Sequence, residues 1–196
     1  MTIASITWPK HTERLVLRQV REEDIDRLLE FRNKPDVYKW LMKTVVDAEA
    51  FRAAWMRTLT EPRDHSTVVE LDGVVIGTAS LEVEDAMGQD GGAPSRAAEA
   101  HIGYILDAAY AGQGYATEIA TELLRISFEE LGVHRAYAGC FADNTASARV
   151  LEKTGMRREQ YGVRDSWHAE LGWIDGCTYA MLADEWFSAA GGAPGR

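Results

Sequence analysis

The residues most able to do chemistry cluster in the run Tyr110-Ala111-Gly112-Gln113-Gly114-Tyr115-Ala116-Thr117. Its two glycines let the backbone curl tightly with no Cβ in the way. An amphipathic helix begins near Tyr115, so the unpaired N–H groups of its first turn converge on one point. Free donors and the helix dipole both favour negative charge there, and a phosphate-bearing ligand is the natural occupant. Upstream, Glu99, His101 and Gly103 alternate onto one face of an extended segment, opposite Ala100, Ile102 and Tyr104. An imidazole with an unperturbed pKa of about 6.5 suits proton transfer at neutral pH. A carboxylate such as Glu99 does so once burial raises its pKa. Downstream, Asn144 and Ser147 stand three residues apart and share a helix face, with Leu151 a further turn along. Asn144 reads as the N-cap of that helix and Gly155 as the residue just past its end.

The elements that must position these residues follow from periodicity. Arg14 to Arg18 alternates as a first strand, and Glu22 to Arg32 places Ile25, Leu28, Leu29 and Arg32 near one helical face. Asn33-Lys34-Pro35 breaks that helix, and Asp47 to Leu59 reads as a second one. Thr67 to Leu71, the turn Asp72-Gly73, and a strand from Val74 to about Val83 form a hairpin. Residues 84–98, rich in glycine with Pro94 and Ser95, read as a flexible loop. Glu99 to Leu106 is a strand feeding the glycine turn. The next helix carries Ala116, Ile119, Ala120, Leu123, Leu124, Phe128 and Leu131 on one face. Arg135 to Phe141 is a strand, followed by the Asn144 helix. Arg157 to Trp167 and Cys177 to Ala183 form a terminal antiparallel pair, and residues 188–196 read as a disordered tail. The order predicts an α+β fold, a layered sheet with helices on both faces, in one domain over residues 12–187.

Composition narrows the classes. The chain has 196 residues, enough for one domain with a substantial core, and 46% hydrophobic with 27% charged residues is ordinary for a globular protein. A formal net charge of −10 argues against a nucleic-acid-binding surface. Cys140 and Cys177 are the only cysteines, and their spacing suggests neither a metal site nor a disulfide framework. With no charged-then-apolar leader and no apolar run of membrane length, a reducing, cytoplasmic setting without a membrane partner is expected. A dinucleotide-binding fold is a rival reading of the glycines. Thr117 stands where that fingerprint has its third glycine, however, and no βαβ unit opens the chain.

The two constellations, in this order, resemble the GNAT superfamily of acyl-CoA-dependent N-acyltransferases. Ala111-Gly112-Gln113-Gly114-Tyr115-Ala116 matches the family's Arg/Gln-x-x-Gly-x-Gly/Ala turn; Asn144, Ser147 and Gly155-Met156 match its Asn-x-x-Ser helix. Thr12-Glu13-Arg14-Leu15-Val16-Leu17-Arg18, Ile102-Gly103-Tyr104-Ile105-Leu106, and the close from Gly172-Trp173-Ile174-Asp175 to Glu185-Trp186 resemble the RimJ/RimL-type branch, which acetylates protein N-termini and other amines. The resemblance spans Thr12 to Trp186. It implies a mixed, largely antiparallel central sheet in which two parallel strands, Glu99–Leu106 and Arg135–Phe141, splay apart at the cofactor.

The resemblance also implies roles. Acetyl-CoA is the implied cofactor, with its pyrophosphate on Gly112, Gln113, Gly114, Tyr115, Ala116 and Thr117. Its pantetheine arm and thioester lie along the backbone of Tyr104, Ile105 and Leu106, near Asn144 and Ser147. Glu99 or His101 is the implied base, and Ser147 either protonates the departing thiolate or positions the cofactor near its sulfur. Ala111 departs from the family pattern. A lost charge-assisted contact there costs about 1.5–3 kcal/mol unless Arg149 or Lys153 compensates. The implied partner is an amine, either a peptide N-terminus or a small amine such as a polyamine or antibiotic. A non-catalytic acyl-CoA-binding module is the alternative. An α-amine, with a pKa of about 7.7–8.0 against about 10.4 for lysine, is partly neutral near pH 7.5 without any base. The acceptor pocket is expected between residues 33–43 and the loop 166–175. Trp40, Trp167 and Trp173 there either line an apolar slot or serve as core and homodimer contacts.

Overall fold

Eight strands and six helices arise from these patterns in a computed structural model that describes residues 6–89 and 92–189. The strands are β1 (Lys10–His11), β2 (Val16–Arg18), β3 (Thr67–Leu71), β4 (Val74–Glu84), β5 (Glu99–Leu106), β6 (Arg135–Phe141), β7 (Arg157–His168) and β8 (Gly172–Leu182). The helices are α1 (Asp24–Arg32), α2 (Pro35–Tyr38), α3 (Ala48–Thr58), α4 (Tyr115–Arg125), α5 (Thr145–Lys153) and α6 (Ala183–Ala189). The strands form one sheet in the order β1-β2-β3-β4-β5-β6-β8-β7. Every neighbouring pair is antiparallel except β5 and β6. The fold is therefore the mixed sheet expected, and a doubly wound dinucleotide fold is ruled out by its single parallel pair.

Period-two alternation in the strands separates two cores, one on each face. Ala100 and Ile102 of β5 are buried with Leu81, Ala136 and the α4 stripe of Ile119, Leu123 and Leu124. Each fully buried leucine or isoleucine contributes about 1.5–3 kcal/mol relative to exposure. On the other face a smaller cluster gathers Ile25, Leu28 and Phe31 of α1, Val37 of α2, and Val68 and Val75, with Phe51 and Trp55 of α3 packed against it. Helices thus cover both faces. The tight β3–β4 turn forms where Asp72 and Gly73 both adopt positive φ, 50° and 78°.

Several boundaries differ from the sequence reading. The break at Pro35 instead starts the short α2, because proline's fixed φ suits a first helical turn. The α4 helix does not run regularly to Leu131. After Arg125 it widens to an i→i+5 turn over Ile126–Glu130, closed by Leu131 N–H to the Ile126 carbonyl at 3.0 Å, which keeps Phe128 buried. Strand β8 begins at Gly172, five residues ahead of Cys177, because Gly172, Trp173 and Ile174 pair with His168, Trp167 and Ser166. Within 84–98, Ala86 N–H bonds the Ser95 carbonyl at 2.7 Å and Ala97 N–H bonds Asp85 Oδ1 at 2.8 Å. Residues 90–91 of that loop and 190–196 of the expected tail lie outside the described residues, while Ser188 and Ala189 end α6.

Candidate active site

Strands β5 and β6 run together for only three residue pairs, Glu99 with Arg135, Ala100 with Ala136, and His101 with Tyr137. Beyond these, β5 pairs only with β4 and β6 only with β8. The sheet therefore opens a notch whose walls carry unpaired backbone groups. A cleft of about 410 Å³ lies at this notch. Tyr104, Ile105 and Leu106 line it from β5, Asn144 and Ser147 from the start of α5, and Asp36, Val37 and Trp40 from around α2. Gly112, Gly114, Tyr115, Ala116 and Thr117 line its far end. Gln113 is the turn residue that does not.

The turn itself depends on both glycines. Gly112 and Gly114 sit at φ 77° and 86°, in the left-handed region that L-side chains avoid. Among the described residues, none of the backbone N–H groups from Gly112 to Thr117 has a protein partner, and no side chain caps α4. The first bond of the helix is Glu118 N–H to the Gly114 carbonyl at 3.1 Å. This leaves the donor cluster expected of an anion site. Asp107 holds the approach to the turn. Its carboxylate bonds Arg27 at 2.6 Å and Ala109 N–H at 3.3 Å, and its own N–H bonds the Ile76 carbonyl at 2.8 Å. Burial raises the Asp107 carboxyl, but these contacts and the nearby Lys34 outweigh it and hold it below the usual carboxylate range.

At the notch, Ser147 and Tyr104 meet, with the Tyr104 hydroxyl 3.1 Å from Ser147 Oγ. Burial pushes the Tyr104 hydroxyl up to about 12, so it stays protonated at neutral pH. Asn144 caps α5 by accepting from Ser147 N–H at 3.2 Å, which fixes the backbone that presents the serine. Cys140 is half-buried beside them and directly opposite Cys177 across β6 and β8. Burial raises its thiol to about 11, which suppresses the reactive thiolate.

Glu99 and His101 lie elsewhere. They sit where β5 is paired with β6, on the sheet face opposite Tyr104, and neither lines the cleft. The Glu99 carboxylate bonds Arg135 at 2.9 Å, and His101 is exposed and stacked on Tyr137 with ring centroids 4.9 Å apart. The structure therefore brings the turn, Tyr104, Asn144 and Ser147 together and leaves both expected bases outside. The carboxylate that does line the cleft is Asp36, which lies in the stretch 33–43 expected to wall the acceptor pocket but has no role assigned by its sequence context. Among cleft-lining residues it is the only acidic one.

A second cavity of about 340 Å³ lies beside the cleft, between Tyr38–Val45 and Trp167–Glu170, the position expected for an acceptor. His168 ties its two walls together. Its Nδ1 accepts from the N–H groups of Glu170 and Leu171 at 3.2 Å each, so Nε2 carries the proton and donates to the Lys39 carbonyl at 2.7 Å. Arg32 donates to the Lys43 and Thr44 carbonyls and Asn33 bonds Val46, which fixes the other end of the segment. Trp40 packs edge-on to His168, and Trp167 and Trp173, each 60% exposed, meet edge to face with ring centroids 5.5 Å apart. The last two are not core residues. No helix among the described residues is long and apolar enough to cross a membrane, and the described residues contain no cluster of three metal-ligating side chains.

Residues 14–157 match the family model described as an acetyltransferase (GNAT) domain. The uncharacterized N-acetyltransferase YnaD of Bacillus subtilis is 27% identical over 176 residues, covering 89% of this chain and 97% of that protein. The crystal structure of a GNAT-family acetyltransferase from Bacillus anthracis superposes with a TM-score of 0.76 at 29% identity, covering 91% of this chain and all of that one. RimL, the ribosomal L7/L12 alpha-N-protein acetyltransferase solved in complex with coenzyme A, superposes with a TM-score of 0.73 at 19% identity over 89% of this chain and 97% of its own, a likeness of fold. With its splayed parallel pair, its glycine turn and a family match over most of its length, the chain belongs to the GNAT acetyltransferases and is an acyltransferase.

Proposed function

We propose that the chain transfers an acetyl group from acetyl-CoA to a primary amine, with α-amines of peptides as the first class of acceptor. The observation that carries this reading is the unpartnered N–H cluster of Gly112 to Thr117, which opens on a cleft running to the Tyr104–Ser147 contact. RimL, which shares the fold, was solved with coenzyme A and is named as an alpha-N-protein acetyltransferase, and both points support the reading.

Acetyl-CoA supplies an activated thioester. On this proposal the amides of the glycine turn hold its pyrophosphate, and the backbone groups of Tyr104 and Leu106, which face away from β4, hold the pantetheine arm and the thioester carbonyl. Ser147, hydrogen-bonded to a tyrosine that keeps its proton, relays to the departing thiolate the proton that the amine nitrogen releases as the C–N bond forms and the C–S bond breaks. The acceptor enters through the second cavity, which His168 shapes. Asp36 draws the cationic amine into the cleft, and the fraction of α-amine that is neutral near pH 7.5 reacts without a dedicated base. Trp167 and Trp173, exposed at the rim, contact a peptide acceptor or a second copy of the chain.

The test is calorimetric titration with acetyl-CoA, with NADH as control, followed by an amine panel of N-terminal peptides, polyamines and free amino acids. Binding of acetyl-CoA alone and turnover of peptides is the expected result. Failure to bind acetyl-CoA would overturn the cofactor assignment, and turnover confined to polyamines would overturn the acceptor class.

A further inference from the structure

The segment Thr12-Glu13-Arg14-Leu15 does not line the cleft, but Thr12, Glu13 and Arg14 line an adjoining cavity that shares Gly114, Thr117 and Lys153 with it, and the segment is wired to the glycine turn. The Glu118 carboxylate, in the first turn of α4, accepts from Thr12 Oγ1 at 2.5 Å, from Arg14 N–H at 2.8 Å and from Arg14 Nε at 2.8 Å, and it contacts Nη2 at 2.7 Å. Arg14 is therefore held from both its backbone and its side chain. Its guanidinium lies 4.5 Å over the Tyr115 ring, and its remaining Nη1 donates to the Gln113 carbonyl at 2.9 Å.

That last bond has a geometric consequence. In a planar trans peptide the C=O and the following N–H point in opposite directions. A Gln113 carbonyl tied to Arg14 turns the Gly114 N–H away from Arg14, toward the cleft that Gly112 and Gly114 line and Arg14 does not. Glycine at positive φ rotates easily, so without an anchor this peptide plane is free to flip. Ala111 offers no side chain to hold a phosphate, so the backbone donors of the turn share that task with Arg149 and Lys153, which also line the cleft.

We propose that Arg14 is a positioning residue for the phosphate turn: by holding the Gln113 carbonyl from outside, it fixes the Gly114 N–H in the orientation that donates to a pyrophosphate. This rests on the assignment of acetyl-CoA to the cleft. Because Glu118 neutralises the Arg14 charge, Arg14 acts through the backbone it orients and not as a phosphate ligand.

Arg14→Met keeps a long side chain over Tyr115 and removes the donor. Calorimetric titration with CoA should show the dissociation constant rising about three- to tenfold, the worth of one preorganised hydrogen bond. Pantetheine, which carries no phosphate, should bind wild type and variant equally in a competition assay. Arg14→Lys, which restores one donor, should fall between them, and it serves as the test variant if Arg14→Met does not melt cooperatively. Equal CoA affinity in wild type and variants would overturn the role of Arg14 while leaving the cofactor assignment intact. An equal loss for CoA and pantetheine would also overturn it, since that marks general damage to the cleft. A wild-type protein that binds no CoA would remove the cofactor assignment and this inference with it.

Discussion

Replacing Gly77 by alanine should damage the site from the far side of the strand that builds it. Gly77 pairs with Leu106 across β4 and β5, at the level where β5 lines the notch. A Cβ at Gly77 would meet the Ile105 carbonyl oxygen at 2.3 Å, Leu106 Cδ2 at 2.8 Å and Leu106 Cα at 3.3 Å. Contacts under 3.0 Å essentially do not occur, and the nearest atom is backbone, so no side-chain rotation relieves it. Opening the gap requires β5 to move by roughly 1 Å at Ile105 and Leu106, an overpacking change that costs about 1–3 kcal/mol. At about 2–4 °C per kcal/mol for a chain of this size, the melting temperature should fall by about 2–12 °C. A displacement of about 1 Å at the reacting centre is worth about 10²-fold in rate. The assays are thermal melting by circular dichroism and kcat/KM for acetyl transfer, with Gly112→Ala as comparison. At Gly112 nothing lies within 4 Å of an added Cβ, so only the left-handed backbone strain of about 1–2 kcal/mol applies. A Gly77→Ala protein with wild-type melting temperature and kcat/KM would refute the claim that close β4–β5 approach sets the notch.

Three further outcomes are expected. Tyr104→Phe should lower kcat by about 10-fold or more with little change in acetyl-CoA affinity, because it removes the hydroxyl bonded to Ser147 and little apolar surface; an unchanged kcat would exclude that pair from proton transfer. His168→Leu strands the Lys39 carbonyl and two backbone N–H groups, costing about 1–3 kcal/mol of stability and raising the acceptor KM while the acetyl-CoA KM holds, whereas His168→Gln should recover part of both. Asp107 has a carboxyl held below its unfolded value, so it contributes stability above that value and loses it as pH falls through the lower, folded one. Asp107→Asn should therefore melt lower at pH 7, and its deficit should shrink in acid melts; a deficit independent of pH would show that Arg27 pairing is not the cause.

What the sequence revealed was set by local sterics. The turn at Gly112 and Gly114 was legible because the left-handed backbone there suits little else, and Asp72-Gly73 announced its hairpin for the same reason. The α4 stripe was legible because a buried face repeats every turn. What stayed hidden depends on distant partners. Arg14 and Glu118 are 104 residues apart, and His168 and Lys39 are 129 apart, so no window of sequence joins them. Strand β1 pairs over two residues and β8 starts at a glycine, and neither has a pattern of its own without the strand beside it. Glu99 and His101 show the converse case, residues whose chemistry was legible and whose distance from the cleft was not. Their types suited base chemistry and their strand was read correctly, but three residues further along β5 separates a paired ladder from an open notch.

The short meeting of β5 and β6 has a mechanical meaning. Strands β1 to β5 form one antiparallel plate and β6, β8 and β7 another, and within the sheet only three parallel residue pairs stitch the plates together. The seam is the shortest ladder in the middle of the sheet, while its neighbours β4–β5 and β6–β8 pair over eight and seven residues. Local opening follows the weakest cooperative unit, so the two plates should breathe about this seam, and a ligand wedged into the notch would brace the pair like a strut across a hinge.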